Sequence, residues 1–428
     1  MDFHIAEIHR LKRVRNSHVA ISQLPAELLW DVFLYVVETG LKKGGTGFTA
    51  GTFAFLRVCK RWNEIAIGFP QLWAWWIPGT LKAWHLFKSR SKDAPLILIW
   101  RSRFPKYAQN ILADTETPRR IRQLDFNGTR EQLKHILGAL DSRSTSTTSS
   151  IRLECLRDGK NDNGKHLTRF FSLSFPKLSK LDINTSLPDP TSSILTTSNL
   201  TSLKLDPPYN DNRRYTQSQF LEVLQHHPNL EQLDLAAGGL PSVENSRGLV
   251  PVPLLHLVEL RLCGTDGAIN GFIDLVSMSS PLHNVIIEFK RNNIPSVAAH
   301  ADTAKKFLTA YYGCKRLEHP RKATHLTISS PFQDGVFIDA KCCRSTFASH
   351  PIYSLNLRFF GMQSALAQKI IPLFPLEYVR GYTIDGLDLF TEDWCRALRR
   401  MRRLSYLVLD SVDIGPALNA LDLGNEGM

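Results

Sequence analysis

Several groups of residues in this chain have types and spacings that could do chemistry. Gly40 to Gly51 reads GLKKGGTGFTAG, and glycines among lysines can cradle a phosphate on backbone N–H groups. The order does not fit that use. No Lys-Ser/Thr pair follows a spaced glycine, and Gly45-x-Gly47 is followed by Ala50 with no strand ahead of it, so the segment reads as a flexible connection. Cys314, His319 and His325 could be metal ligands, but a closed zinc site needs a fourth donor at a recognised spacing and none stands there. Cys342-Cys343 reads as ordinary thiols rather than a redox couple. His226-His227 ahead of Pro228 reads as a helix end. The sequence has no G-x-S-x-G elbow, H-E-x-x-H, Walker sequence or paired C-x-x-C. The expectation is a non-catalytic protein with no cofactor and no metal.

A basic cluster, Arg396, Arg399, Arg400, Arg402 and Arg403 with Trp394 nearby, suits RNA or an acidic protein. At helical spacing Arg396, Arg399, Arg400 and Arg403 share a face. A solvated outer face is the commoner reason for such a pattern, and nucleic acid is not the expected partner. The 428 residues carry 52 Lys+Arg against 40 Asp+Glu, a formal net charge of +12, which permits acidic partners without specifying one. At 43% hydrophobic and 21% charged, the composition excludes disorder, collagen and coiled coil. Seven cysteines, sparse and odd in number, fit reduced thiols. The first residues lack a secretory apolar core, and no apolar run reaches the ~18–20 residues that cross a bilayer. The sequons at Asn127, Asn184 and Asn199 therefore carry no meaning. A cytoplasmic or nuclear protein without membrane contact is expected.

The elements that would position these residues begin with a basic helix or arm over 1–20, where Arg10, Lys12, Arg13 and Arg15 surround Ile5, Ile8 and Leu11. Ser22, Pro25 and Glu27 mark a helix start: a cap, a first-turn proline and an acid at the positive dipole end. Leu28, Leu29, Val32, Phe33, Tyr35 and Val36 then spread over more than one stripe, so one face can pack inward while another stays open. Phe53 to Phe69 keeps helical spacing through Phe55, Leu56, Val58, Cys59, Trp62, Ile65 and Ala66, and Phe69-Pro70-Gln71-Leu72-Trp73 closes the unit. A helix is expected around Leu81–Ser89. Trp73, Trp75, Trp76 and Trp84 are expected to glue this module to the first repeat.

Beyond this helix an apolar-x-x-apolar-x-apolar pattern recurs: Ile121/Leu124/Phe126, Leu178/Leu181/Ile183, Leu200/Leu203/Leu205, Leu230/Leu233/Leu235, Leu257/Leu260/Leu262, Leu282/Val285/Ile287, Ala323/Leu326/Ile328, Ile352/Leu355/Leu357 and Leu404/Leu407/Leu409, with weaker copies at Ile151/Leu153/Cys155 and Leu376/Val379. From Leu178 the steps are 22, 30, 27, 25, 41, 29, 24 and 28 residues, mostly in or near the range of leucine-rich repeats. Each unit places a short strand in a shared core and returns by a helix or loop. The return helices are expected at Gln219–His226, Phe272–Met278, Ala299–Tyr312, Ala365–Leu373 and Glu392–Met401, and the long step is expected to hold an inserted loop. An ordinary doubly wound sheet is the competing arrangement. Where regular repeats carry a buried Asn or Cys, Ser186, Pro208, Gly238 and Thr265 stand instead. The serine- and threonine-rich run 142–150 reads as a tolerated surface insertion.

Leu24-Pro25-Ala26-Glu27-Leu28-Leu29-Trp30-Asp31-Val32-Phe33, followed by Val58-Cys59-Lys60-Arg61-Trp62 and Leu72-Trp73, resembles an F-box. The resemblance covers roughly residues 21–76. The repeats behind it look like the degenerate leucine-rich array of F-box proteins, and Arg90-Ser91-Lys92-Asp93-Ala94-Pro95-Leu96 looks like fungal members of that kind. The loop at 38–52 is longer than the family's. The resemblance implies an α/β solenoid, an irregular leucine-rich-repeat array preceded by a small all-helical F-box module. It divides the chain into a basic arm (1–20), the F-box (21–78), a connecting helix and first strand (79–120) and the repeats (121–428). It further implies a substrate receptor of an SCF-type cullin–RING ubiquitin ligase, which docks the adaptor subunit, and cullin indirectly, through Leu24, Pro25, Leu28, Val32, Val58, Cys59 and Trp62. The repeats would capture an unidentified protein substrate. The alternative is a protein- or RNA-binding repeat scaffold acting outside ubiquitination.

Overall fold

The computed structural model describes residues 2–43, 53–76, 81–101, 116–129, 132–133, 136, 140, 147–155, 165–207, 215–236, 238–242, 249–277, 282–289, 297–312, 325–329, 335–342, 353–360, 364–385, 389–410 and 412–425. Residues 44–52 of the glycine loop, the 142–146 part of the Ser/Thr run, the start of the long step at 290–296, and Pro208, Met278, Cys314, His319, Ala323, Cys343 and Ile352 lie outside them. The fold is α/β, and the chain divides into two compact units, Met1–Leu178 and Ser179–Met428.

The first unit begins with helices α1 (Asp2–Ser17), α2 (Ala26–Lys43), α3 (Lys60–Ile67) and α4 (Leu81–Ser91). Ser22 lies inside a 3-10 turn, Ala20–Gln23, four residues ahead of the first residue of α2 rather than at the position just before it. Pro25 stands at that position, its carbonyl accepting from the Leu29 N–H at 3.2 Å. The helix expected over Phe53–Phe69 is broken. A 3-10 turn, Ala54–Arg57, is followed by Cys59 in extended backbone (φ −158, ψ 167), and only then does α3 begin. Apolar periodicity marks a face and leaves continuity open, so one extended residue can re-aim the chain without changing the pattern.

Strands β1 (Trp75–Trp76), β2 (Leu96–Arg101), β3 (Ile121–Gly128) and β4 (Ser150–Cys155) pair in parallel and in chain order. The tryptophans join the helices to these strands. Trp73 is stacked on Phe53 and donates its Nε1–H to the Ala66 carbonyl at 2.7 Å, while Trp76 packs against Trp84 and edge-on against Trp100. The Arg90–Leu96 segment is the turn from α4 into β2. Lys92 takes φ 46, the left-handed conformation that ends helices. Arg120, ahead of β3, donates to Ser91 Oγ at 2.8 Å and the Ala94 carbonyl at 2.9 Å, and the Arg90 guanidinium sits 4.3 Å from the Trp73 ring centre.

In the second unit β5 (Lys180–Asn184), β6 (Ser202–Leu205), β7 (Gln232–Leu235), β9 (Glu259–Gly264) and β11 (Asn284–Phe289) pair in parallel, again in chain order. Short β8 (Val252–Pro253) and β10 (Val276–Ser277) form a separate parallel pair. The chain order then reverses: β11 pairs with β14 (Tyr353–Phe360), which runs antiparallel to β13 (Gly335–Cys342), itself antiparallel to β12 (His325–Ser329). Parallel order resumes through β15 (Gly381–Asp385) to β16 (Tyr406–Asp410). Return helices α5 (Gln217–His226), α6 (Asp266–Leu275), α7 (Val297–Tyr312), α8 (Ser364–Ile370), α9 (Thr391–Arg400) and α10 (Gly415–Asn425) separate the strands. Helix α6 begins six residues before the expected Phe272. Thr265, the residue where a ladder Asn was looked for, caps it by accepting from the Ala268 N–H at 3.4 Å.

The apolar triads are the core. Leu203, Leu205, Leu233, Leu235, Leu260, Leu262, Val285 and Ile287 are at most 2% exposed. Val379, Tyr382 and Ile384 make the triad of β15; of the expected Leu376/Val379 pair, Val379 thus belongs to it and Leu376 opens the 3-10 turn Leu376–Tyr378 ahead of it. On the opposite side of the strands, register places Asp182, Lys204, Asp234 and Arg261 in a row of alternating charge, and Glu288 stands two residues along β11 from Ile286, the register partner of Arg261. Lys204 lies 3.8 Å from Asp234 and Arg261 3.7 Å from Glu288. Burial raises the Asp234 carboxyl above its usual range, opposed by Lys204 and Arg261.

Candidate docking surface

Helix α2 carries two apolar stripes. Leu29, Phe33 and Val37, at i, i+4 and i+8, are buried in a cluster with Phe55, Ala66, Leu72, Trp73 and Ile99. Beside them Leu28, Val32 and Val36, at the same spacing, face solvent with Tyr35. Leu28 is 50% exposed and Tyr35 71%. The inward stripe is already filled by aromatic packing: Phe33 stacks on Phe55 at 4.5 Å and meets Trp62 at 5.3 Å, and Trp30 stacks on Phe69 at 4.9 Å. The outward stripe therefore has no place in the module's own core.

The second motif segment is brought to the first by specific contacts. The Arg61 guanidinium donates to the Leu24 carbonyl at 2.7 Å, across 37 residues, and the Trp62 ring lies against Phe33. The Cys59 carbonyl accepts from the Asn63 N–H at 3.1 Å, and Asn63 Nδ2 donates to the Leu56 carbonyl at 2.9 Å, which fixes the entry to α3. Val58, just ahead of that entry, is 53% exposed.

Of the seven residues named from sequence, Pro25, Leu28, Val32 and Val58 are exposed, and Leu24, Cys59 and Trp62 are half-buried. Leu24 and Trp62 pack on the core cluster. An interface centred on Trp62 therefore has to share that ring with the core, and the larger open area lies on Leu28, Val32 and Val58. Sequence reasoning did not name Tyr35 and Val36 as site residues, although they stand seven and eight positions after Leu28, the spacing that continues its stripe.

The other candidates resolve differently. Arg400 donates to the Pro372 and Phe374 carbonyls and lies 3.9 Å from Glu377, Arg396 lies 3.6 Å from Asp393, and Arg403 stands over the Tyr378 ring. Helix α9 ends at Arg400, so Arg403 does not share its face, and Trp394 is buried against Tyr382. His226 and His227 do end α5: His226 Nδ1 sits 2.7 Å from the Glu222 carbonyl, and the His227 N–H donates to the Leu224 carbonyl. A buried His300 Nδ1 lies 2.6 Å from Asp266 Oδ1, a pairing that sequence reasoning missed because 34 residues and a whole return helix separate the two. Among the described residues no group of three His, Cys, Asp or Glu could hold a metal, and no helix is long and apolar enough to cross a membrane. No known family model matches this chain, and no curated protein matches it.

Proposed function

We propose that this protein is a substrate-receptor subunit of an SCF-type cullin–RING ubiquitin ligase. Residues 21–78 act as an F-box and the strands behind them as a degenerate leucine-rich-repeat solenoid. The observation that carries the reading is the open stripe Leu28, Val32, Val36 with Val58, set over a core that is complete without it. Apolar side chains left outside a finished core favour a partner, and an amphipathic helix offering i, i+4, i+8 anchors is a common docking element. The recurring buried triads on parallel strands support the repeat reading. In this role the protein does no bond chemistry. It tethers a substrate lysine near a charged conjugating enzyme and so turns a bimolecular encounter into a local one. The cytoplasm and nucleus are where that role operates.

The RNA-scaffold reading has less behind it, because Arg396, Arg400 and Arg403 already face acceptors or a ring of their own protein. Co-purification with the ligase adaptor tests the proposal. Wild type is expected to co-elute, and Leu28→Ala/Val58→Ala to lose the adaptor while keeping its thermal transition, because both side chains are exposed. Equal co-elution by the two, or none by wild type, overturns it.

A further inference from the structure

The last described strand of the second unit differs from those before it. In the strands up to β11 and again in β15, the triads are fully enclosed, but Leu404, Leu407 and Leu409 of the last one are only half-buried. Strand β16 has β15 on one side and, among the described residues, nothing hydrogen-bonded on the other. Tyr406 and Val408 are exposed, and so are Ile414, Leu418 and Leu421 around and along α10. Exposed flat edges are normally blunted by charge or proline. Within Tyr406–Asp410 the only charge is Asp410 and there is no proline.

We propose that this edge is covered by a second copy of the same chain, β16 against β16, antiparallel about a two-fold axis at Val408. The strand's own sequence selects that occupant. The Tyr406 N–H donates to the Arg380 carbonyl at 3.2 Å, so in the parallel ladder Tyr406, Val408 and Asp410 direct their backbone groups to β15, and Leu407 and Leu409 turn theirs to the open edge. Centring the pair on Val408 sets Leu407 opposite Leu409 of the second copy as hydrogen-bonded pairs, and both leucines complete their burial on the core side. Val408 then faces its own copy in the closer, non-hydrogen-bonded position. Tyr406 stands opposite Asp410, so no like charges meet. The large apolar side chains exposed on β16 and around α10 are Tyr406, Val408, Ile414, Leu418 and Leu421, far fewer than the ~20–30 residues a side of a standard interface. A dimer with micromolar affinity is therefore expected. The proposal is independent of the docking surface on α2.

Light scattering on the full chain over a concentration series, with cysteine cross-linking, tests it. Wild type is expected to pass from monomer to dimer in the micromolar range, Val408→Lys to stay monomeric with an unchanged thermal transition, and Leu28→Lys to dimerise like wild type. Facing Cα atoms in a non-hydrogen-bonded antiparallel pair stand ~4.5 Å apart, within disulfide reach. Val408→Cys is thus expected to give a reducible covalent dimer under mild oxidant where wild type gives none. A wild-type chain that stays monomeric throughout, a dimer that survives Val408→Lys, or no cross-link through Cys at 408 overturns the proposal.

Discussion

Leu28 and Leu29 are consecutive leucines of one helix with opposite surroundings. Leu29 is fully enclosed by Phe33, Trp73 and their neighbours, and Leu28 is half in solvent. Leu29→Ala is expected to cost about 2–5 kcal/mol in chemical denaturation, the range for a truncated core leucine. Leu28→Ala should stay within about 0.5 kcal/mol, as surface substitutions do. Equal losses would mean that the outward stripe is core. Lys92, held at φ 46, gives the opposite sign: Lys92→Gly is expected to leave stability unchanged or raise it by up to about 1 kcal/mol, since glycine meets no steric penalty there. At this scale the sequence told which residues are apolar and how they are spaced, and so both stripes were legible. Which stripe turns inward depends on Phe55, Trp62 and Trp73 arriving from elsewhere in the chain, and no local pattern encodes that.

The strands were the most legible elements, because a short strand packed in a common core must repeat its buried positions. What escaped had a specific cause each time. Tyr382 hid the β15 triad behind a residue usually read as half-polar, although here it is fully buried and its hydroxyl is pushed upward by that burial. Strand β13 was not anticipated, and the antiparallel sense of β12–β13–β14 was invisible because apolar spacing is the same for either strand direction. The missing Asn ladder has a local explanation at Gly238 and Gly239. A Cβ on Gly239 would lie 2.5 Å from the Leu205 carbonyl at the end of β6, and one on Gly238 would lie 2.7 Å from Pro207 Cγ, so this turn excludes side chains altogether. Gly239→Ala should therefore cost about 1–3 kcal/mol in a denaturant melt, whereas a Leu28-like neutral result would mean that the turn can relax. Helix α5 ends on His227, whose fully buried imidazole is pulled down to about 4 by desolvation and then by neighbouring His226. An unfolded histidine titrates near 6.5, so between those values only the unfolded chain takes up the proton. Stability is then expected to fall as pH drops from about 6.5 toward 4, by up to about 3 kcal/mol, and His227→Phe should flatten that part of the profile. An unchanged slope in the variant would assign the pH dependence elsewhere.

For the whole molecule, exposed apolar side chains among the described residues include Leu28–Val36 with Val58 in the first unit and those of β16 and α10 in the second. They make separate demands: the first is a convex helical stripe suited to another protein's groove, the second a strand edge suited to its own copy. The net charge of +12 adds a general attraction for acidic partners, which salt would weaken without abolishing contacts made by leucine and valine. The parallel buried strands of the α/β fold were readable from recurrence, whereas the open surfaces could be identified only once the cores were seen to be complete. The docking claim is tested most directly by titrating the purified full-length chain with the purified ligase adaptor in a calorimeter, wild type beside Leu28→Ala/Val58→Ala. Saturable one-to-one binding by wild type, weakened at least about tenfold in the variant, is the predicted result, each truncated anchor contributing about 1 kcal/mol or more. Absence of binding by the folded wild-type chain, or equal affinity in the variant, would contradict it.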